Sequence, residues 1–127
     1  GIPETLEKLK NSGKELIVAT SKPYEFTEII LKHFNIRKYF STVCGSTFDG
    51  TISHKSDVIR HALNEAGITD KSQAIMIGDR HYDINGAKEN GLKSIGVLYG
   101  YGSREELSEA GADYIAENLD ELLKILL

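Results

Sequence analysis

The sequence predicts an α/β protein organised on a parallel, doubly wound sheet, and three observations carry that prediction. Short apolar runs at residues 15–20, 74–78 and 94–98 are bounded by polar residues, as strands buried on both faces are. Between them lie stretches whose apolar residues recur at helical spacing. The alternation repeats at the length of strand-helix units, whose strands run parallel and connect by right-handed crossovers.

The first helix covers residues 2–12, with Pro3 near its first turn, Leu6 and Leu9 at helical spacing, and Gly13 as its stop. After the strand at 15–20, Pro23 opens a second helix. In it Phe26, Ile29, Ile30 and Phe34 recur on one face, which is expected to turn inward. Residues 36–40 form a short connector, 42–44 a brief strand, and 45–54 a loop rich in Gly, Ser and Thr. A third helix at 55–66 sets Val58, Ile59, Ala62 and Leu63 inward and ends at Gly67. The central strand at 74–78 is followed by a helix at 84–90, closed by Gly91, and by a strand at 94–98. Residues 99–102 read as a flexible glycine-aromatic loop. Ser103 and Glu106 then have the spacing of a capping box for a helix that runs to Ala110. An edge strand at 112–116 and an amphipathic helix at 119–127 complete the series. No internal repeat or linker divides it, so residues 1–127 read as one domain.

With 127 residues, 40% of them hydrophobic and 27% charged, the chain is long enough to bury a core and reads as soluble and globular. No apolar run approaches a membrane span. A formal charge of −4 with scattered Lys and Arg argues against a nucleic-acid surface, which needs a clustered basic patch. The single cysteine, Cys44, permits no intrachain disulfide and reads as a buried strand thiol rather than a nucleophile. No signal or transit peptide is recognisable, and a cytoplasmic setting is expected.

The chemistry gathers where the central strand ends. Gly78 allows a tight turn, and Asp79 and Asp83 follow at the carboxyl end of the strand, where open α/β sheets bind ligands. Neighbouring carboxylates repel unless a cation, a donor network or a shared proton offsets them. A hard divalent ion such as Mg²⁺ suits these oxygen ligands, while Asp83 also reads as a cap for the next helix. Thr20 ends its strand as Asp79 ends its own, and parallel strands would bring both to one edge of the sheet. Thr20, Ser21 and the amides before Pro23 either face a phosphate at a helix N-terminus or simply cap that helix. Lys55 opens a helix, where the dipole disfavours a cation, so it either serves an anion or is a solvated surface lysine. Arg80, His81 and the 99–102 loop read as groups that touch a leaving group or as solvated loop residues. His33, His54 and His61 show no ligand spacing with one another.

These residues also carry a resemblance. Residues 18–23 (Val-Ala-Thr-Ser-Lys-Pro), 53–59 (Ser-His-Lys-Ser-Asp-Val-Ile) and 77–87 (Ile-Gly-Asp-Arg-His-Tyr-Asp-Ile-Asn-Gly-Ala) resemble three motifs of the haloacid dehalogenase-like (HAD) phosphatases. They correspond in order and spacing to the second, third and fourth. Residues 96–102 and 110–115 are similar to the phosphoglycolate phosphatase branch. The resemblance covers nearly the whole chain and implies a Rossmann-like HAD core. It implies that Thr20 holds a phosphoryl oxygen, with Ser21 beside it, and that Lys55 neutralises phosphate and orients a nucleophilic carboxylate. It further implies that Asp79 binds Mg²⁺ directly and that Asp83 supports the metal site. The physics agrees, since a phosphomonoester dianion can approach carboxylates only where cations cancel charge.

The chain departs from that family at its first motif. The Asp-x-Asp-Gly-Thr sequence that supplies nucleophile and general acid-base is not found, nor is the mobile cap. Phe48-Asp49-Gly50-Thr51 is no substitute, because Thr47 stands two before Asp49, and it reads as a turn. The expectation is therefore the carboxyl-terminal part of a HAD-like core, with a sheet left incomplete without the nucleophile strand. In the family that strand lies between those ending at Thr20 and Gly78. An amino-terminal segment or a second copy would supply it, or the flanking strands would close directly. The expected function is Mg²⁺-dependent hydrolysis of small phosphorylated metabolites, with this chain by itself an inactive fragment. Phosphoglycolate, a nucleoside monophosphate, pyrophosphate and a sugar phosphate all stay open, so nucleotidase and pyrophosphatase are alternatives. From other classes come a receiver-like, phosphate- or metal-responsive binding domain and a non-catalytic interaction protein. A receiver needs an acid pair, and only Glu15 is available just before Thr20.

Overall fold

The computed structural model describes residues 1–127 apart from Phe48 and Ser53, so those two positions of the 45–54 loop lie outside the described residues. Residues Gly1–Gly67 and Ile68–Leu126 form two compact units. The first contains α1 (Ile2–Asn11), β1 (Ile17–Pro23), α2 (Tyr24–His33), β2 (Thr42–Ser46) and α3 (Lys55–Glu65). β1 and β2 pair in parallel, with Ile17 opposite Thr42 and Ala19 opposite Cys44. The ladder is then irregular until Pro23 meets Ser46, so Thr20, Ser21 and Lys22 stand outside the regular pairing.

Helices α2 and α3 both pack on β1 and β2. α3 buries Val58, Ile59, Ala62 and Leu63, the face its periodicity predicts. Val58 and Ala62 meet Cys44, with Ile17, Ala19 and Ile52 packed around them. Burial also pushes the Cys44 thiol pKa up, which fits a structural thiol rather than a nucleophile.

α2 overturns its expected orientation. Ile29 and Phe34 are 63% and 65% exposed, Phe26 and Ile30 are exposed as well, and the buried positions are Thr27 and Leu31. Thr27 is buried with its hydroxyl satisfied. Thr27 Oγ1 donates to the carbonyl of Pro23 at 3.1 Å, one turn back, so a polar residue enters the interior without an orphaned group. A hydropathy pattern gives such a residue no inward weight and centres the buried face elsewhere on the helix.

The second unit contains β3 (Ile75–Gly78), α4 (His81–Glu89), β4 (Lys93–Val97), α5 (Arg104–Ala110), β5 (Tyr114–Ala116) and α6 (Leu119–Leu126). Its strands run parallel in the order β3-β4-β5, with Gly78 opposite Gly96 and Val97 opposite Ala116. Ile95, Val97, Ala116 and Leu122 form the core, joined by Ile75, Leu119, Ile125 and Leu126. Ile84, Ile95 and Leu107 are fully buried. Each such side chain contributes about 1.5–3 kcal/mol relative to exposure. Gly96 lets Leu107 approach, since a Cβ there would come within 2.9 Å of that side chain.

The architecture is thus α/β with parallel strands in small, incomplete sheets. Among the described residues β1 pairs with β2 alone and β3 with β4 alone. No described helix is long and apolar enough to cross a membrane.

Candidate phosphate and metal sites

In the first unit the candidate phosphate residues meet at the irregular second half of β1: the strand continues to Pro23, so Thr20 does not end it as the sequence suggests, but stands where regular pairing with β2 stops. Thr20 Oγ1 accepts a hydrogen bond from the Lys22 amide at 3.2 Å, which leaves the hydroxyl proton available to donate. Ser21 is exposed beside it. Neither residue caps α2, whose N-cap is Pro23 with no side-chain cap bond, so the capping alternative for Thr20 and Ser21 does not hold. Lys55 is the first residue of α3, and its Nζ donates to the Ala19 carbonyl at 3.3 Å. A cation that the α3 dipole disfavours is thereby held next to Thr20. Gly45 is required close by, because a Cβ there would come within 2.5 Å of the Lys22 carbonyl oxygen.

The turn at residues 49–51 is the one the sequence predicts. Asp49 Oδ1 accepts from the Thr51 amide at 3.0 Å, and Phe48, at the start of that tetrapeptide, lies outside the described residues. That amide bond, with the hydroxyls of Thr47 and Thr51, brings the Asp49 carboxyl down to about 2.

In the second unit α4 begins at His81, three residues before the sequence places it, so Asp83 falls in its first turn. Asp83 is buried, and its Oδ2 accepts from the amides of Asp79 at 3.1 Å and Arg80 at 3.3 Å. The capping alternative for Asp83 is therefore realised in part, since its carboxylate satisfies amides at the head of α4. That use pins the turn carrying Asp79. Gly78 makes room for it, as a Cβ there would strike the Asp83 side chain. Asp79 itself is half-buried.

Sequence reasoning missed two contacts here. The 99–102 loop is no free tether, because the Tyr101 amide donates to Asp79 Oδ2 at 2.9 Å. Glu106, expected to close a capping box, turns elsewhere. Ser103 Oγ does accept from the Glu106 amide at 3.1 Å, but Glu106 Oε2 accepts from Arg80 Nε and the His81 amide, both at 2.8 Å. It also lies 2.9 Å from His81 Nδ1. The Arg80 guanidinium first, then the amide and ring of His81, bring the Glu106 carboxyl down to about 2. The paired glycines were the signal for the first contact, since glycine often marks a close backbone approach.

The donor set of the second unit fits a small hard cation. Mg²⁺ keeps several waters and takes one or two carboxylates plus substrate oxygens rather than a full protein cage. One oxygen of Asp79 is bonded by an amide and the other accepts no hydrogen bond from the described residues. No group of three or more His, Cys, Asp or Glu that could hold a metal converges among the described residues.

The model of the haloacid dehalogenase-like hydrolase family matches residues 1–97. The chain belongs to this family. It is 43% identical over 126 residues to a 5'-nucleotidase from Pseudomonas aeruginosa, covering 99% of this chain and 57% of that protein. A phosphoglycolate phosphatase from Vibrio parahaemolyticus is 36% identical over 126 residues, with 98% of this chain and 54% of that protein covered. Among solved structures, a predicted phosphatase from Clostridium acetobutylicum superposes with a TM-score of 0.96 at 52% identity. That match covers 99% of this chain and 58% of the other. The chain thus spans little more than half the length of these HAD relatives. Family membership sets aside the receiver alternative, and the likeness to phosphoglycolate phosphatases agrees with the branch resembled by residues 96–102 and 110–115.

Proposed function

We propose that this chain contributes the phosphate-binding and metal-binding parts of a Mg²⁺-dependent phosphomonoester hydrolase acting on small phosphorylated metabolites in the cytoplasm. The observation that carries the reading is Lys55, whose ammonium is held at the Ala19 carbonyl beside Thr20 rather than released to solvent. A phosphoryl dianion there would gain a charge-assisted bond from Lys55 Nζ and a hydroxyl bond from Thr20 Oγ1, with Ser21 adjacent. Asp79 would hold Mg²⁺, and Asp83 would support that site by bonding the Asp79 and Arg80 amides. When bound, the ion neutralises phosphate charge that would otherwise oppose a carboxylate nucleophile. The nucleophile itself would come from an amino-terminal segment or a second copy, and without it the chain is inactive in phosphoryl transfer. HAD membership and likeness to phosphatases support the reaction class. A nucleoside monophosphate and phosphoglycolate are the substrates its relatives' names suggest, and pyrophosphate stays open.

The test is hydrolysis of an aryl phosphate by the intact protein with Mg²⁺. Lys55→Ala, Thr20→Val and Asp79→Ala should each lower turnover, the first and last by on the order of a hundredfold, as for loss of one preorganised charge. Turnover near that of the wild type in Lys55→Ala would overturn the reading.

A further inference from the structure

Asp79 is bonded directly by the 99–102 loop, and the turn that follows it is bonded by Glu106. On one side, the Tyr101 amide bonds Oδ2 at 2.9 Å, within a loop that reaches Asp79 only because two positions lack a side chain. A Cβ on Gly100 would strike the Asp79 carboxylate, and a Cβ on Gly102 would strike the Asp79 carbonyl oxygen. Neither glycine has a positive φ, so these positions need the empty space and not a left-handed backbone. On the other side, Glu106 Oε2 gathers Arg80 Nε, the His81 amide and His81 Nδ1 within 2.9 Å. The two ties enclose the turn that leaves β3, and Asp83 closes it from within α4 by bonding the amides of Asp79 and Arg80.

We infer that Gly100, Gly102 and Glu106 are positioning residues for Asp79: the two glycines let the Tyr101 amide engage Oδ2, Glu106 fixes the Arg80-His81 turn that follows, and Oδ1 is presented to the cation. The inference rests on the proposed role of Asp79 as the metal-holding residue. Its physical basis is preorganisation. A free aspartate must lose rotamer freedom and choose between one-oxygen and two-oxygen coordination when it binds an ion. An aspartate with one oxygen already bonded has made both choices, and partners of this kind typically change metal affinity by about 10- to 100-fold. The sequence pattern supports the same grouping, since Gly100, Gly102 and Glu106 fall within one short segment.

The test is a calorimetric titration of Mg²⁺ into the intact protein, with thermal unfolding in EDTA recorded for each variant. Asp79→Asn, Gly100→Ala and Glu106→Ala are each expected to weaken Mg²⁺ binding about tenfold or more. Gly96→Ala presses on Leu107 in the same unit instead, so it should lower the unfolding temperature and leave Mg²⁺ affinity unchanged. If Asp79→Asn loses affinity while Gly100→Ala and Glu106→Ala bind within about twofold of wild type, positioning is overturned and the metal role of Asp79 stands. Should Gly96→Ala weaken binding as much as the others, the losses reflect general destabilisation and positioning is likewise overturned. Mg²⁺ binding by Asp79→Asn equal to wild type would remove the metal role and the inference with it. Where Gly100→Ala does not fold, Glu106→Ala decides alone.

Discussion

Glu106 concentrates three donors on one carboxylate oxygen, and the Arg80 guanidinium and His81 groups hold its carboxyl at about 2, against an ordinary value of 4.5. A carboxyl whose pKa is lower in the folded state stabilises that state above the unfolded pKa, and the contribution fades as pH falls through the folded value. The unfolding temperature of the wild type should therefore exceed that of Glu106→Gln by a constant gap above about pH 4.5. The gap should narrow between there and about pH 2. A gap that widened as the solution became more acid would contradict the assignment. Thermal scans of both proteins across that range measure it. The residues themselves differed in how far the sequence revealed them. The place of Asp79 and Asp83 just after β3 was legible because an apolar run stops there at a glycine. The destination of Glu106 was not, because its partners lie 25 and 26 positions away while Ser103 offered a local alternative. Half of that local bond forms, from the Glu106 amide to Ser103 Oγ, which is why the spacing looked sufficient.

At the level of elements, strands and helices followed the sequence closely where burial was uniform. β3 and β4 fell within one residue of the apolar runs read for them, and the inward face of α3 matched its apolar spacing residue for residue. Two helices departed from the reading for local reasons. α4 starts at His81 because the Asp83 carboxylate satisfies amides at its head, a bond that hydrophobic spacing cannot register. α2 buries Thr27 with Leu31 in place of its apolar stripe, and the Thr27 hydroxyl bonds back to Pro23, so hydropathy alone could not place the buried face. The orientation of α2 makes a direct prediction. Leu31→Ala should destabilise the protein by about 2–5 kcal/mol, the range for emptying a buried leucine site. Ile29→Gln should fall within about 0.5 kcal/mol of wild type, as exposed substitutions do. Urea unfolding of the two variants separates the faces, and the reverse order of effects would restore the orientation drawn from hydropathy.

Across the whole molecule, the α/β class and parallel pairing were legible because alternating apolar runs and helical spacing repeat along the chain. The incomplete sheets were legible only through the HAD motifs, since nothing in local periodicity says that a strand is wanting. β1 and β3 each keep an edge that no described strand covers, and such edges leave rows of backbone donors and acceptors for another strand to take. Each of these two strands also leads to a proposed ligand position, Thr20 with Lys55 in the first unit and Asp79 in the second. The central claim is that these residues bind phosphate and a divalent metal. Anomalous diffraction from crystals of the intact protein, grown with Mn²⁺ in place of Mg²⁺ and with phosphate, tests it most directly. The account predicts a metal peak about 2 Å from Asp79 Oδ1, as expected for a small hard cation. It also predicts a phosphate bonded by Lys55 Nζ and Thr20 Oγ1. A metal peak remote from Asp79, or a phosphate that Lys55 does not touch, would contradict it.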